Sequence, residues 1–142
     1  DKQNGKNDFT KCPNGAPGVE TRMPIVFSEG VSKGRLSLNE FAAVTSTNPA
    51  KIFGMYPKKG VLAPGSDADI VLMNPDMEVT ITKNILHENV DYTPYEGIQV
   101  KGWPVMTMVR GQAVVENERL QVPLGFGRYI NRKPVKYTEL LK

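Results

Sequence analysis

Apolar positions along this chain change period near Gly60, and the change divides it into a helical first part and a strand-rich second part. Met23, Val26, Phe27 and Val31 recur at helical spacing, which predicts a helix over residues 19–33 that ends near Gly34. A second helix has an explicit start. Ser37 and Glu40 form an S-x-x-E capping box, and Leu36 stands where it can staple against Phe41. Its apolar face reads Leu38, Phe41, Ala42 and Thr45. Asn48 as a cap and Pro49 in the first turn predict a further short helix, which Gly54 stops.

From Gly60 onward, short runs bounded by Gly, Pro and Asn predict strands over residues 69–74, 78–82, 105–110, 113–116 and 120–122. Arg110-Gly111-Gln112 and Glu116-Asn117-Glu118 are hairpin-turn candidates. Ile70, Val71 and Leu72 form an unbroken apolar run, as expected of a strand covered on both faces. Residues 84–97 read as a polar loop carrying His87, Tyr92 and Tyr95, and the tail from Pro123 as an extended segment lying on a surface. Helices first and a meander of strands afterwards predict an α+β architecture.

Composition narrows the classes. A chain of 142 residues can bury one real core. Its 18 basic and 15 acidic residues interleave to a net charge of +3, and no basic run is interleaved with aromatics, so nucleic acid is not an expected partner. No apolar run approaches the ~20 residues needed to cross a bilayer, and no membrane partner is expected. A single cysteine, Cys12, forbids an intramolecular disulfide, and a cytoplasmic location is the expectation. The polar opening DKQNGKND without an initiator Met predicts a piece of a longer protein.

Candidate chemistry is sparse. His87 is the only histidine and has no second His, Cys or carboxylate at ligand spacing, so it reads as a structural residue rather than a metal ligand. Cys12 has no histidine near it in sequence to activate it and reads as a small packing residue. GSDAD at residues 65–69 fails the D-x-[DN]-x-[DN]-G spacing of a calcium loop and reads as a turn feeding a strand. Trp103-Pro104 reads as packing. No catalytic and no metal-binding residue is therefore expected in this chain. The stretch FTKCPNGAPGVETR is different: Pro13, Gly15, Pro17 and Gly18 surround one polar residue, Asn14. Two prolines stiffen such a loop and two glycines free its torsions. Asn14 itself suits a turn, because asparagine tolerates left-handed torsions.

This stretch resembles the substrate loop of D-hydantoinases and dihydropyrimidinases, the cyclic-amide hydrolases of the amidohydrolase superfamily. The resemblance continues through SEGVSKGRLSLNEFAAVTSTNPAKIFGMYPKKG, GSDADIVLMNPD and GFGRYINRKP, nearly the whole chain. It implies the last helices of a (β/α)8 TIM barrel in residues 1–60, strands of a small β-sandwich in residues 61–122 and an extended C-terminal arm in residues 123–142. It also implies that Asn14 and Gly15 bind a cyclic diamide through the main chain. Two divalent metal ions, zinc by expectation, would be held outside this chain by four histidines, an aspartate and a carboxylated lysine. The implied partners are the N-terminal remainder of the same enzyme, the small-molecule ring and further subunits of a dimer or tetramer. The alternative is the non-catalytic collapsin-response-mediator-like scaffold proteins. Those carry a Pro-Glu-Gly type sequence where this chain reads Pro13-Asn14-Gly15.

Overall fold

The computed structural model describes residues 2–135. Residues 136–142, the end of the expected C-terminal arm, lie outside them. Among the described residues the chain forms helices followed by one four-stranded antiparallel sheet in the order β1-β2-β3-β4, the expected α+β arrangement.

Helix α1 spans Val19–Val26 and continues without a break as a π-helical turn, Phe27–Ser32. Pro24 lies inside α1 and is buried, and having no N–H it cannot donate to the Glu20 carbonyl. Gly34, at φ +69°, ends the helix where expected. The Arg35 and Leu36 N–H groups turn back onto the Gly30 carbonyl, and Leu36 folds over Gly30.

Helix α2, Leu38–Ala42, starts on the capping box seen in the sequence. The Ser37 hydroxyl accepts from the Glu40 N–H at 3.2 Å, and the Ser37 N–H donates to the Glu40 carboxylate at 2.8 Å. The Ser37 N–H, then its hydroxyl, hold the Glu40 carboxyl below its usual range. Replacing Ser37 by Ala should cost about 1 kcal/mol in chemical denaturation, and an unchanged midpoint would show that the cap contributes nothing. The apolar face differs from expectation: Phe41 is buried edge-on against Phe27, with centroids 5.3 Å apart, while Leu38 is 65% exposed and Ala42 is exposed. Asn48 is also not a cap. It has helical torsions (φ −65°, ψ −46°), because α2 runs on through a π-helical segment, Ala43–Thr47, into α3, Asn48–Ile52. Asn48-Pro49 carries a start signal, but Pro in the first turn of a short helix is equally compatible with one already under way. Gly54, at φ +68°, ends α3 as expected.

The sheet departs from the expected strands at its Gly and Pro residues. The two strands expected over residues 69–74 and 78–82 are one strand, β1, Ile70–Thr80. Its register slips between Asn74 and Glu78, placing Pro75 in a bulge where the Asn74 side chain accepts from the Asp76 N–H. Strand β2, Gln99–Val109, begins six residues before the expected 105. Its Gly102 and Pro104 read as breakers, yet Gly102 sits opposite the β1 bulge and Pro104 beside a second register slip. Both hairpin candidates are two-residue turns with two positive φ values: Arg110 and Gly111 join β2 to β3, Gln112–Glu116, and Asn117 and Glu118 join β3 to β4, Arg119–Leu120. The last strand, expected over 120–122, begins one residue earlier and ends two residues earlier.

The core lies at one end of this sheet. Ile81, Leu86, Val100 and Trp103 are buried together, with Ile25 of α1 against them. The π-helical turn is fastened to the same end: Ser28 Oγ accepts from the Lys101 N–H, Ser32 Oγ donates to the Lys101 carbonyl, and Phe27 packs on Gly102. Because the helices dock there, they do not cover Ile70, Val71 and Leu72 on both faces. Leu72 is 47% exposed, contrary to the reading of that run as a fully covered strand. At the far end the tail packs on the sheet through Phe126, which lies under the Arg110 guanidinium at 4.4 Å. The Lys133 N–H then reaches the Gly54 carbonyl. Tyr129 of the same tail is 88% exposed in the single chain.

Candidate functional site

The loop of residues 13–18 is braced from both sides in sequence. Upstream, the Asp8 carboxylate accepts from the Thr10 hydroxyl (2.6 Å) and N–H (3.1 Å), which closes a short turn at Phe9–Lys11 and holds Asp8 below the usual carboxylate range. Cys12 is half-buried, with Gly5 so close that a Cβ there would stand 2.5 Å from the Cys12 Cβ. The Lys2 ammonium donates to the Pro13 carbonyl and, at 2.7 Å, to the Gly15 carbonyl. Gly15 takes φ +83°, a torsion that other residues rarely hold. Downstream, Gly18 caps α1 against Tyr95, whose ring would lie 3.3 Å from an added Cβ.

This bracing leaves Asn14 exposed. Among the described residues no hydrogen bond uses its main-chain N–H, carbonyl or side chain. Together with Lys2, Pro13, Gly15, Ala16 and Pro17 it forms one wall of a cleft of about 360 Å³, and Val90 and Tyr92 form the other. A stiff loop with free main-chain groups, facing apolar side chains, suits a flat ring edged with alternating donors and acceptors. A larger cleft of about 420 Å³ lies between Ser28 and the strand backbones around Val79 and Val100, but Glu78 and Lys101 are its only charged side chains.

His87 belongs to the loop forming the second wall. Its Nδ1 lies 2.7 Å from Glu20 Oε1, its N–H donates to Glu20 Oε2 at 2.8 Å, and its Nε2 meets the Glu118 carbonyl at 2.9 Å. The Glu20 hydrogen bond, then the Glu118 carbonyl, raise the imidazole pKa. Both ring nitrogens therefore have partners within the chain. The sequence reading assigned no site role to Lys2, Glu20, Val90 or Tyr92: Lys2, Val90 and Tyr92 lie in stretches without periodicity, and Glu20, on α1, is 67 positions from His87.

The chain belongs to the amidohydrolase family, whose model matches residues 8–114. Among individual relatives it is 46% identical to a D-hydantoinase of Geobacillus stearothermophilus, over 99% of this chain and 29% of that protein. It is likewise 46% identical to a D-phenylhydantoinase of Escherichia coli O1:K1, over 93% of this chain and 29% of the relative. Its fold matches the crystal structure of dihydropyrimidinase from Brevibacillus agri NCHU1002 with a TM-score of 0.91 and 51% identity, over 95% of this chain and 29% of that one. The chain therefore spans about 29% of the length of the relatives it matches.

Enzymes of this family generally depend on metal ions. Among the described residues no group of three or more His, Cys, Asp or Glu side chains is placed to hold a metal ion, and each ring nitrogen of His87 already faces a partner.

Proposed function

We propose that this chain is the C-terminal part of a metal-dependent cyclic amidohydrolase that opens hydantoin or dihydropyrimidine rings. The observation that carries the reading is the unengaged main chain of Asn14, held on a loop braced by Lys2 and Gly15 and lining, with Val90 and Tyr92, a cleft of about 360 Å³ that has room for the ring. The relatives named hydantoinase and dihydropyrimidinase supply the substrate class. The role of this chain is to bind and orient the ring: Asn14 and Gly15 offer main-chain hydrogen bonds to its amide edge. Two divalent ions, with zinc as the expected metal, sit on residues outside this chain, and no step through them follows from its residues.

In the same reading, residues 1–60 complete the helical part of a TIM-barrel catalytic domain, residues 61–122 form part of a β-sandwich, and residues 123–142 are an arm that supports a dimer or tetramer in the cytoplasm. The exposed Leu72, Val105 and Leu120 on the sheet agree with a second layer supplied by the rest of the enzyme. A scaffold role without catalysis is disfavoured by Asn14, which stands where the scaffold relatives carry Glu.

The enzyme carrying this segment is expected to open hydantoin and dihydrouracil, followed by loss of the ring amide's absorbance, and to stop when its metals are chelated. No ring opening with either substrate would reject the reading. The isolated 142-residue chain should open neither ring, and two ions held tightly by it after chelator washing would reject the division of labour.

A further inference from the structure

The two walls of the Asn14 cleft are distant in sequence, and a carboxylate–histidine contact joins the segments that carry them. The first wall, residues 13–17, runs straight into α1, where Glu20 is the second residue. The second wall carries Val90 and Tyr92, three and five positions after His87. Glu20 grips both the main-chain N–H of His87, at 2.8 Å, and its Nδ1, at 2.7 Å. On the other side of the ring a carbonyl, that of Glu118, stands 2.9 Å from Nε2. A carbonyl can only accept, so Nε2 carries a proton, and the facing carboxylate favours a second proton on Nδ1. The contact is built for the imidazolium.

Resting on the cyclic-amide reading, we infer that Glu20 and His87 are positioning residues that set the separation of the loop walls around the substrate ring. Neither touches the reacting atoms. When the imidazolium is present, Glu20 holds the 88–92 segment against the loop that carries Asn14. When it loses a proton, the ring has one N–H for two facing acceptors, so it gives up either Glu20 or the Glu118 carbonyl and the ion pair between the walls is lost.

The charged groups facing His87 are Glu20 from α1 and Glu118 from the β3–β4 turn. On or beside its own loop stand Lys83, Glu88, Asp91 and Glu96; the Lys83 ammonium donates to the Glu88 carbonyl at 2.8 Å, and the Glu96 carboxylate accepts from the Lys83 N–H at 2.8 Å. Arg22 and Arg119, on the same elements as Glu20 and Glu118, make no hydrogen bond to the imidazole among the described residues. The two charges that act on the ring, Glu20 and Glu118, are both negative and favour the cation. Glu20 is the larger cause of the raised pKa and the Glu118 carbonyl the next. A raised folded-state pKa means that the contact is complete at low pH and is lost as pH climbs through that raised value.

The test uses the enzyme that carries this segment, with His87→Gln and Glu20→Gln. The main-chain bond at position 87 survives the first substitution, which preserves the fold. The pair is part-exposed, 59% for the His87 side chain and 29% for Glu20. The expected rise in KM for dihydrouracil is therefore roughly two- to five-fold at low pH, with kcat changed less than KM and metal content equal to wild type. Wild-type KM should climb with pH towards the His87→Gln value, whereas His87→Gln should be flat. Backbone amides of residues 13–17 and 88–92 should exchange faster in both variants. Identical KM at every pH, or identical exchange in both segments, would overturn the inference. If the wild type opens no ring, the cyclic-amide reading fails by itself, and the exchange measurement still decides whether Glu20 and His87 hold the two walls.

Discussion

Gly102→Ala is expected to destabilise the protein by roughly 3 kcal/mol or more, among the largest effects available to one methyl group in this chain. Two costs coincide at this position. Gly102 has φ +99°, outside the range that side-chain-bearing residues readily adopt. Its added Cβ would stand 2.2 Å from Phe27 Cδ1 and 2.5 Å from Cε1. The Phe27 ring cannot simply swing away, because it is buried and packed edge-on against Phe41. Relief would require moving the π-helical turn off β2, which also strains the Ser28 and Ser32 bonds to Lys101. Gly65→Ala is the control: φ is +90° but nothing lies within 4 Å of the new Cβ. It should show the conformational cost alone, about 1–2 kcal/mol. Urea denaturation of the two variants separates the terms, and equal losses would mean that Phe27 yields freely.

At the candidate site, Gly15→Val should lower ring-opening turnover on the order of 100-fold, the scale on which small misplacements of a binding group act. The space around Gly15 is open, so the effect would come from the backbone rather than from a clash. Valine resists φ +83° twice, as a residue with a Cβ and as a β-branched one. Rotating that peptide turns the Gly15 carbonyl off the Lys2 ammonium and re-aims the neighbouring Asn14 groups. Asn14→Ala keeps the main chain and removes only an exposed side chain that makes no hydrogen bond among the described residues. Its loss should stay under about ten-fold. Steady-state kinetics with hydantoin compares the pair. Abolished turnover in Asn14→Ala beside normal turnover in Gly15→Val would show that the amide side chain, not the main chain, does the binding.

Local chemistry made much of the fold readable. The Ser37–Glu40 box is satisfied by atoms three residues apart. Gly34 and Gly54 stop helices because the chain needs positive φ at those points, and the Arg110-Gly111 and Asn117-Glu118 turns take the paired positive torsions that two-residue hairpins require. The errors share one origin. Pro75, Gly102 and Pro104 act as breakers when read singly, but here Pro75 sits in a bulge of β1, Gly102 lies opposite it and Pro104 adjoins a second register slip, so β1 and β2 continue through them. Asn48-Pro49 carries a start signal even where the preceding residues are already helical.

For the site, the sequence by itself determined the stiff Pro-Asn-Gly loop and placed a lone histidine in a loop without metal-ligand spacing, because both are properties of neighbouring residues. Only the tertiary structure decided what faces that loop. Lys2 on the Pro13 and Gly15 carbonyls, Val90 and Tyr92 across the cleft, and Glu20 against His87 are joined by distance in space, not by period or spacing. Hydrophobic period records which side of an element is buried. It carries no information about which polar group, 67 positions away, will sit within 3 Å once the core formed by Ile81, Leu86, Val100 and Trp103 has set the helix against the sheet.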